Sequence, residues 1–371
     1  MVKCGIPYKI LPEWREQEWI MDKALAALKA PVLHITDVHS SKSAGGIHDY
    51  YSNGDYWWPN PDTPDGLPYI QRDGETNPDN FNGHRIILRQ MRTNVVFLTS
   101  AYVLTGEECY AERAVQHLKE FFLDERTYMA PHLSYAQAIL GVCEGRGIGI
   151  IDTLHLVDVV FAVEKLMDSA SMTEEIYMGL KKWFAQYLGW MLTDPNGIQE
   201  MNKDNNHGVC FFVQAAAFAR FTDNERIVDF CRDYYKRGLL KQEADDGSFP
   251  RELGRTKPYN YSIFVVDNMV SLCHILSTPE DNLWEYTSLE GKSIAKALDF
   301  ITPYLLNKDS WPYPPDVMHF HAFPARHGFL FLAGCSTGRK ELLDLYYRLP
   351  QESQDEEARR NIASRQPMLW V

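Results

Sequence analysis

The stretch DNNHGVCFF, residues 204–212, places two amides and an imidazole, Asn205, Asn206 and His207, directly before an apolar run. Asparagine is a good helix N-cap, so capping accounts for one amide and leaves the other amide and the imidazole unexplained. About fifty residues on, DDGSFPRELGRTKPYNYSIF (245–264) gathers Arg251, Arg255 and Lys257 with Tyr259 and Tyr261 before a second apolar run. Either cluster alone reads as structure. Together they hold what proton abstraction beside a carboxylate requires. In a uronic acid the C5 hydrogen is α to a carboxylate, and removing it adds a second negative charge to an anion. Cations and hydrogen-bond donors must hold that developing dianion, which suits Arg, Asn and His. A base must reach C5 and an acid must reach the O4 leaving group, which suits Tyr or His. This chemistry needs neither metal nor organic cofactor.

Two other motifs invite chemistry and carry less. EGRGIGIIDT (144–153) has GxGxG spacing rather than GxGxxG and no strand-like text before it, so close backbone approach is the better reading than a dinucleotide site. The HxH of His319 and His321 lacks a carboxylate or third His at helical ligand spacing, so no metal site is expected.

These residues must be positioned by a chain that is mostly helical. Helices are expected near 12–30, 82–104, 108–123, 148–168, 173–193, 206–220, 224–239, 261–277, 291–307, 322–334 and 339–348, with Pro12 in the first turn of the first. Period-2 alternation is scarce. Short connectors such as TGEE and FTDNE favour antiparallel neighbours, and long irregular stretches interrupt at 31–80, 240–260 and 308–321. The expected fold is all-α, an (α/α) toroid or incomplete barrel of antiparallel helix pairs with long loops on one rim. Residues 1–80 would form an N-terminal helix and an aromatic-rich arm or lid packed on the toroid of 81–371, the whole making one structural domain. The arm segment YYSNGDYWWPNPDTPDGLPYI carries too much aromatic area to be left in water.

The 371 residues are 45% hydrophobic, enough for a large core, and carry a net charge of −13. That balance argues against nucleic acid or anionic membrane as partner, so the positive field for an anionic ligand must be local. No run of eighteen apolar residues occurs. The N-terminus has no secretory h-region, which favours the cytoplasm, or the periplasm or exterior if a leader has been removed. The seven scattered cysteines read as buried free thiols.

The Asn-Asn-His-Gly helix start, GSFPRELGRTKPYNYS and the early GDYWWPNPDTPDGLPYI jointly resemble the alginate lyase domain family, polysaccharide lyases built on an (α/α) toroid. The likeness runs from about residue 50 to 335, and LSYAQAILGVCEGRGIGIIDT (133–153) fits it. The resemblance implies β-elimination on an acidic polysaccharide or oligosaccharide by an Asn–His pair, an Arg and a Tyr. Carried over, these are Asn206, His207, Arg255 and Tyr261. Asn206 and Arg255 would hold the carboxylate, Tyr261 would protonate O4, and Tyr261 or His207 would be the base. The spacing of Arg255 and Tyr261 is shorter than in the periplasmic members, so the chain resembles the branch with alginate- and glucuronan-active members. Further substrate contacts are expected from Tyr56, Trp57 and Trp58 of the arm, from Arg72, His84, Arg85, Tyr135, Gln137, Arg146 and Arg251, and from Tyr259 as the competing tyrosine.

Two rival readings remain. A glycoside hydrolase needs two carboxylates flanking the bond, and Asp245 with Asp246, or Asp152 with Glu144, are the available acids. A carbohydrate-binding protein would keep the aromatics without turnover.

Overall fold

Two compact units, both dominated by helices, make up the computed structural model, which describes residues 7–371. One unit comprises Trp14–Met201 with Met368–Val371; the other comprises Asn202–Pro367 with residues 7–13. The arm falls in one unit with the helices that follow it, up to Met201.

In the first unit the helices are α1 (Gln17–Lys29), α2 (Gly83–Thr105), α3 (Glu108–Phe122), α4 (Leu156–Lys165), α5 (Glu174–Thr193) and α6 (Pro195–Met201). Pro12 stays outside α1, which starts at Gln17. Gly106 ends α2 in the left-handed region at φ 71°, its N–H returning to the Tyr102 carbonyl. Arg92 of α2 is buried and pairs with Asp158 of α4 at 3.1 Å, and Trp370 Nε1 donates to the same carboxylate at 2.7 Å. The helix expected over 148–168 is a 3-10 turn, Gly147–Thr153, followed by α4. A Cβ on Gly145, Gly147 or Gly149 would collide with Ser134, Asn196 or Ala136 respectively, so the GxGxG text is close backbone approach. The arm is not wholly irregular. Strand β1 (Tyr51–Asn53) pairs in parallel with β4 (Tyr135–Ala138), and β2 (Trp57–Trp58) pairs antiparallel with β3 (Ile70–Gln71).

The second unit holds α7 (Asn206–Phe221), α8 (Glu225–Arg237), α9 (Pro250–Leu253), α10 (Pro258–Leu276), α11 (Ile294–Leu306), α12 (Gly328–Thr337), α13 (Lys340–Arg348) and α14 (Glu356–Arg360). Helices α7 and α10 are buried nearly all round and pack against each other, which is why their sequences read as continuous apolar text. By contrast α8 buries only Val228, Cys231 and Tyr235, one stripe at helical spacing. Of the cysteines, Cys210, Cys231, Cys273 and Cys335 are buried free thiols, whereas Cys109 is exposed and Cys143 half-buried; Cys4 lies outside the described residues.

Glu243, in the loop after α8, is 3% exposed. One carboxylate oxygen accepts from the Ser293 N–H at 3.0 Å; the other has no hydrogen-bond partner. Burial pushes its pKa up to about 7, against the pull of that N–H and of Lys292 and Lys296. A folded pKa above the ordinary 4.5 means that the protonated form stabilises the fold below about pH 4.5 and that this contribution is lost as pH rises through about 7. Glu243→Gln should therefore flatten the fall in stability between about pH 5 and 8 by about 2 kcal/mol, read from urea unfolding at both ends.

Candidate functional site

Helix α7 begins with a division of labour between its amides. Asn205 is the N-cap, its Oδ1 accepting from the His207 N–H at 3.2 Å. Asn206 is the first helical residue and points elsewhere: its main-chain N–H donates to Glu252 Oε1 at 2.7 Å and its Nδ2 to Glu252 Oε2 at 2.6 Å. Both residues are buried. His207 is half-buried beside them, and Gly208 is required because a Cβ there would strike the Lys203 carbonyl oxygen.

Glu252 sits on the short helix α9, three positions before Arg255. Arg255 Nη2 donates to the Tyr261 hydroxyl at 3.2 Å, and its guanidinium lies 4.5 Å from the centre of that ring. Burial raises the Glu252 pKa, opposed first by the Asn206 hydrogen bonds and then by the charges of Arg255 and His207. Asn206 thus bonds the buried Glu252 carboxylate, Arg255 and His207 act on it through their charges, and Tyr261 joins through Arg255. Sequence reasoning missed Glu252 because it searched for cations, amides and tyrosines. The available signal was a glutamate in PREL, one helical turn from the arginine.

Helix α10 starts at Pro258, whose missing N–H costs nothing in a first turn. The next two N–H groups, of Tyr259 and Asn260, donate to Asp316 at 2.8 and 3.0 Å. Lys257, just before the helix, is fully buried and pairs with Glu357 of α14 at 3.2 Å. The irregular stretch around Asp316 therefore caps the helix that carries Tyr261.

Several expected substrate contacts are corrected. Tyr259 is fully buried, donates to the Tyr304 carbonyl at 2.9 Å and packs edge-on against Trp311 and Phe320, so it belongs to the core. His84 is buried with both ring nitrogens engaged: Nδ1 accepts from the Tyr51 N–H at 2.8 Å and Nε2 lies 3.0 Å from the Val38 carbonyl, and burial lowers its pKa. Arg85 is buried and bonds Asp152 at 2.9 Å, Asp55, Asn82 at 3.0 Å and the Asn53 carbonyl at 2.7 Å. With its donors spent inside the protein, it anchors the arm and does not face a ligand. Arg251 is exposed and paired with Asp204 at 2.5 Å.

Of the other candidates of the first unit, all but Gln137 stay at least partly accessible. Trp57 and Trp58 are half-buried on β2, with Arg146 5.7 Å from the Trp57 ring and Arg72 4.8 Å from the Trp58 ring. Tyr56 and Tyr135 are also half-buried, and the Tyr56 carbonyl accepts from the Arg72 N–H at 2.8 Å. Arg146 donates to the carbonyl and the side-chain oxygen of Gln137 at 2.9 and 3.1 Å. Gln137 is itself buried, at φ 53°, a left-handed conformation that a non-glycine residue adopts only when its surroundings hold it. It supports Arg146 rather than reaching outward.

The acids that a hydrolase would need are not arranged for it. Asp152 accepts from Tyr50, Ser52, Arg85 and Gln137. Asp245 is solvent-exposed against Lys292, Asp246 accepts from the Ser248 N–H, and Glu144 is exposed. His319 and His321 both lean on Asp355, at 2.8 and 3.5 Å.

Residues 35–311 match the family described as Alginate lyase. A solved alginate lyase from Bacteroides ovatus is 32% identical, with a TM-score of 0.81 over 94% of this chain and 92% of that one. Alginate lyase A1-III from Sphingomonas species A1 is 14% identical, with a TM-score of 0.54 over 89% and 93% of the two chains. A histidine-to-alanine variant of A1-III complexed with tetrasaccharide is 15% identical, with a TM-score of 0.56 over 88% and 85%. Comparison with curated protein sequences finds no match. Fold and family together define an all-α polysaccharide lyase of the (α/α) toroid class. The chain belongs to the alginate lyase family.

The capping of α10 generates a prediction. Asp316→Ala leaves two helix N–H groups without their acceptor and should cost about 1–2 kcal/mol in thermal or urea unfolding, with turnover falling as Tyr261 loses its fixed place.

Proposed function

We propose that the protein cleaves a uronic-acid polymer or oligomer, of the alginate or glucuronan class, by β-elimination. The observation that carries this reading is the contact of Arg255 with the Tyr261 hydroxyl beside the buried Asn206–Glu252 pair. Arg255 and Asn206 hold the uronate carboxylate and stabilise the charge that develops when C5–H is broken. The base takes the C5 proton, the electron pair forms the C4=C5 double bond, the C4–O4 bond breaks, and the acid returns a proton to O4. The product has an unsaturated non-reducing end.

Mannuronate and glucuronate differ at C2 and share one arrangement at C4 and C5, with C5–H and O4 on the same face of the ring. For such sugars Tyr261 serves as base and then as acid. The guanidinium beside its hydroxyl stabilises the phenolate that takes the C5 proton and that is regenerated when O4 is protonated. For guluronate, where the two lie on opposite faces, His207 takes the proton and Tyr261 gives one to O4. A histidine is the residue altered in one tetrasaccharide complex of A1-III, and a tyrosine in another. Trp57 and Trp58 offer stacking faces for sugar rings, and Arg146 and Arg72 offer charges for neighbouring carboxylates.

The test is ultraviolet absorbance of the new double bond with polymannuronate, polyguluronate, mixed alginate and glucuronan; silence with all four sinks the reading. Tyr261→Phe should lower kcat at least about a thousandfold while the protein stays folded, since both proton transfers pass through that oxygen. Tyr259→Phe should keep turnover and lose only about 1 kcal/mol of stability. Arg146→Ala should raise KM about tenfold for long oligomers with a smaller change in kcat.

A further inference from the structure

Asn206 is held the wrong way round for the role it has been given. Its NH2 group is directed at Glu252, and its main-chain N–H at the other oxygen of the same carboxylate. The side-chain carbonyl Oδ1 is what the amide presents on its far side, and a carbonyl dipole repels an incoming carboxylate. Both Glu252 oxygens accept, so this is the arrangement of the ionised acid. A uronate bound against Asn206 and Arg255 would also bring a second anion close to a buried one.

We propose that Glu252 is a positioning residue: binding of a uronate carboxylate makes it take up one proton from solvent, and the Asn206 amide then turns over to offer its NH2 group to the substrate. The inference rests on the lyase reading of the site. The hydrogen bonds balance in both states. With Oε2 protonated, Oε2–H donates to Asn206 Oδ1, Oε1 still accepts the Asn206 main-chain N–H, and the two hydrogens of Nδ2 become available to the uronate. Burial already raises the Glu252 pKa, the direction that favours this uptake. The charged and titratable groups facing it are Arg255, from the turn after its own helix, and His207, from the start of α7; both favour the ionised form in the absence of ligand. From α10, Tyr261 meets Arg255.

The experiment is calorimetric titration of a mannuronate or glucuronate tetramer into the Tyr261→Phe variant, in buffers of different ionisation enthalpy. Proton uptake should approach about one per ligand at some point between about pH 5 and 9, and affinity should fall as pH rises through that range. On the same background Glu252→Gln, whose amide donates to Asn206 Oδ1 and accepts the main-chain N–H, should abolish both the uptake and the pH dependence. Glu252→Ala should weaken binding about tenfold or more, and Gln should restore what Ala loses. Circular dichroism confirms that each variant is folded. Binding without proton uptake overturns this role alone. Uptake that survives in Glu252→Gln overturns it too and assigns the proton to His207. Uptake that behaves as expected, with no double bond formed by the unmodified enzyme, overturns the lyase reading and leaves the role of Glu252 standing. No binding of any oligouronate overturns both.

Discussion

A carboxylate with almost no access to water is costly unless every lone pair it exposes is met, and Glu252 is met by one residue from forty-six positions earlier. The two bonds from Asn206 do different things. The main-chain bond satisfies one of the orphan N–H groups at the start of α7, and the side-chain bond fixes the rotamer and orientation of the amide. Because Glu252 and Arg255 are on the same short stretch, fixing the first also fixes where the second emerges. Arg255 in turn meets Tyr261 in the opening turns of α10. The buried acid thereby ties the start of α7 to the segment that carries Arg255, and Arg255 ties that segment to Tyr261 of α10. Losing it would leave Asn206 with unmet donors and Arg255 with a changed electrostatic partner, so the site would fail as a unit.

The same logic recurs wherever this fold positions something. In the unit that contains the arm, Asp152 collects donors from Tyr50, Ser52, Arg85 and Gln137, and Arg85 spreads its own donors over Asp55, Asn82 and Asn53. The arm is thus fastened by its charges, and its tryptophans are left half-buried for other use. In the other unit Asp316 and Glu357 fasten the start of α10 from the C-terminal side. Long connectors are tolerated here because their buried polar groups have assigned partners, which is the condition for an irregular segment to be ordered.

What was legible in the sequence follows from range. Helix positions rest on local periodicity, and α2, α3, α5, α7 and α13 lie within a residue or two of where that periodicity puts them. Asn206 and His207, and Arg255 and Tyr261, stand out in the sequence because each cluster is compact there. His84 and Arg85 were misread for the opposite reason. A buried cation cannot be told from a ligand-binding one without seeing its anion, and Asp55 and Asp152 lie thirty and sixty-seven positions from Arg85. Tyr259 was misread because local text does not show which face of α10 looks inward. Pro258 marks the true first turn of that helix, and starting it at residue 261 hid the phase. Glu252 stayed hidden because an acid is not what one seeks in a site for anions.

That last point bears on how an acidic protein handles an acidic ligand. With a net charge of −13, the molecule repels a polyuronate at long range, but at physiological ionic strength charges more than about 8 Å apart are largely screened. The field that matters is therefore that of individual cations, and pairing decides which of them count. Arg85, Arg92 and Lys257 are buried against carboxylates and contribute almost no net positive potential outside. Arg251 is half-cancelled by Asp204. Arg146 and Arg72 are different: Arg146 spends its hydrogen bonds on Gln137, Arg72 lies over Trp58, and neither is neutralised by a paired acid. Arg255 bonds the Tyr261 hydroxyl, and its charge acts on Glu252. Discharging that acid when a uronate arrives removes one negative charge from beside Arg255, so the site becomes more cationic for the ligand than it is in its absence.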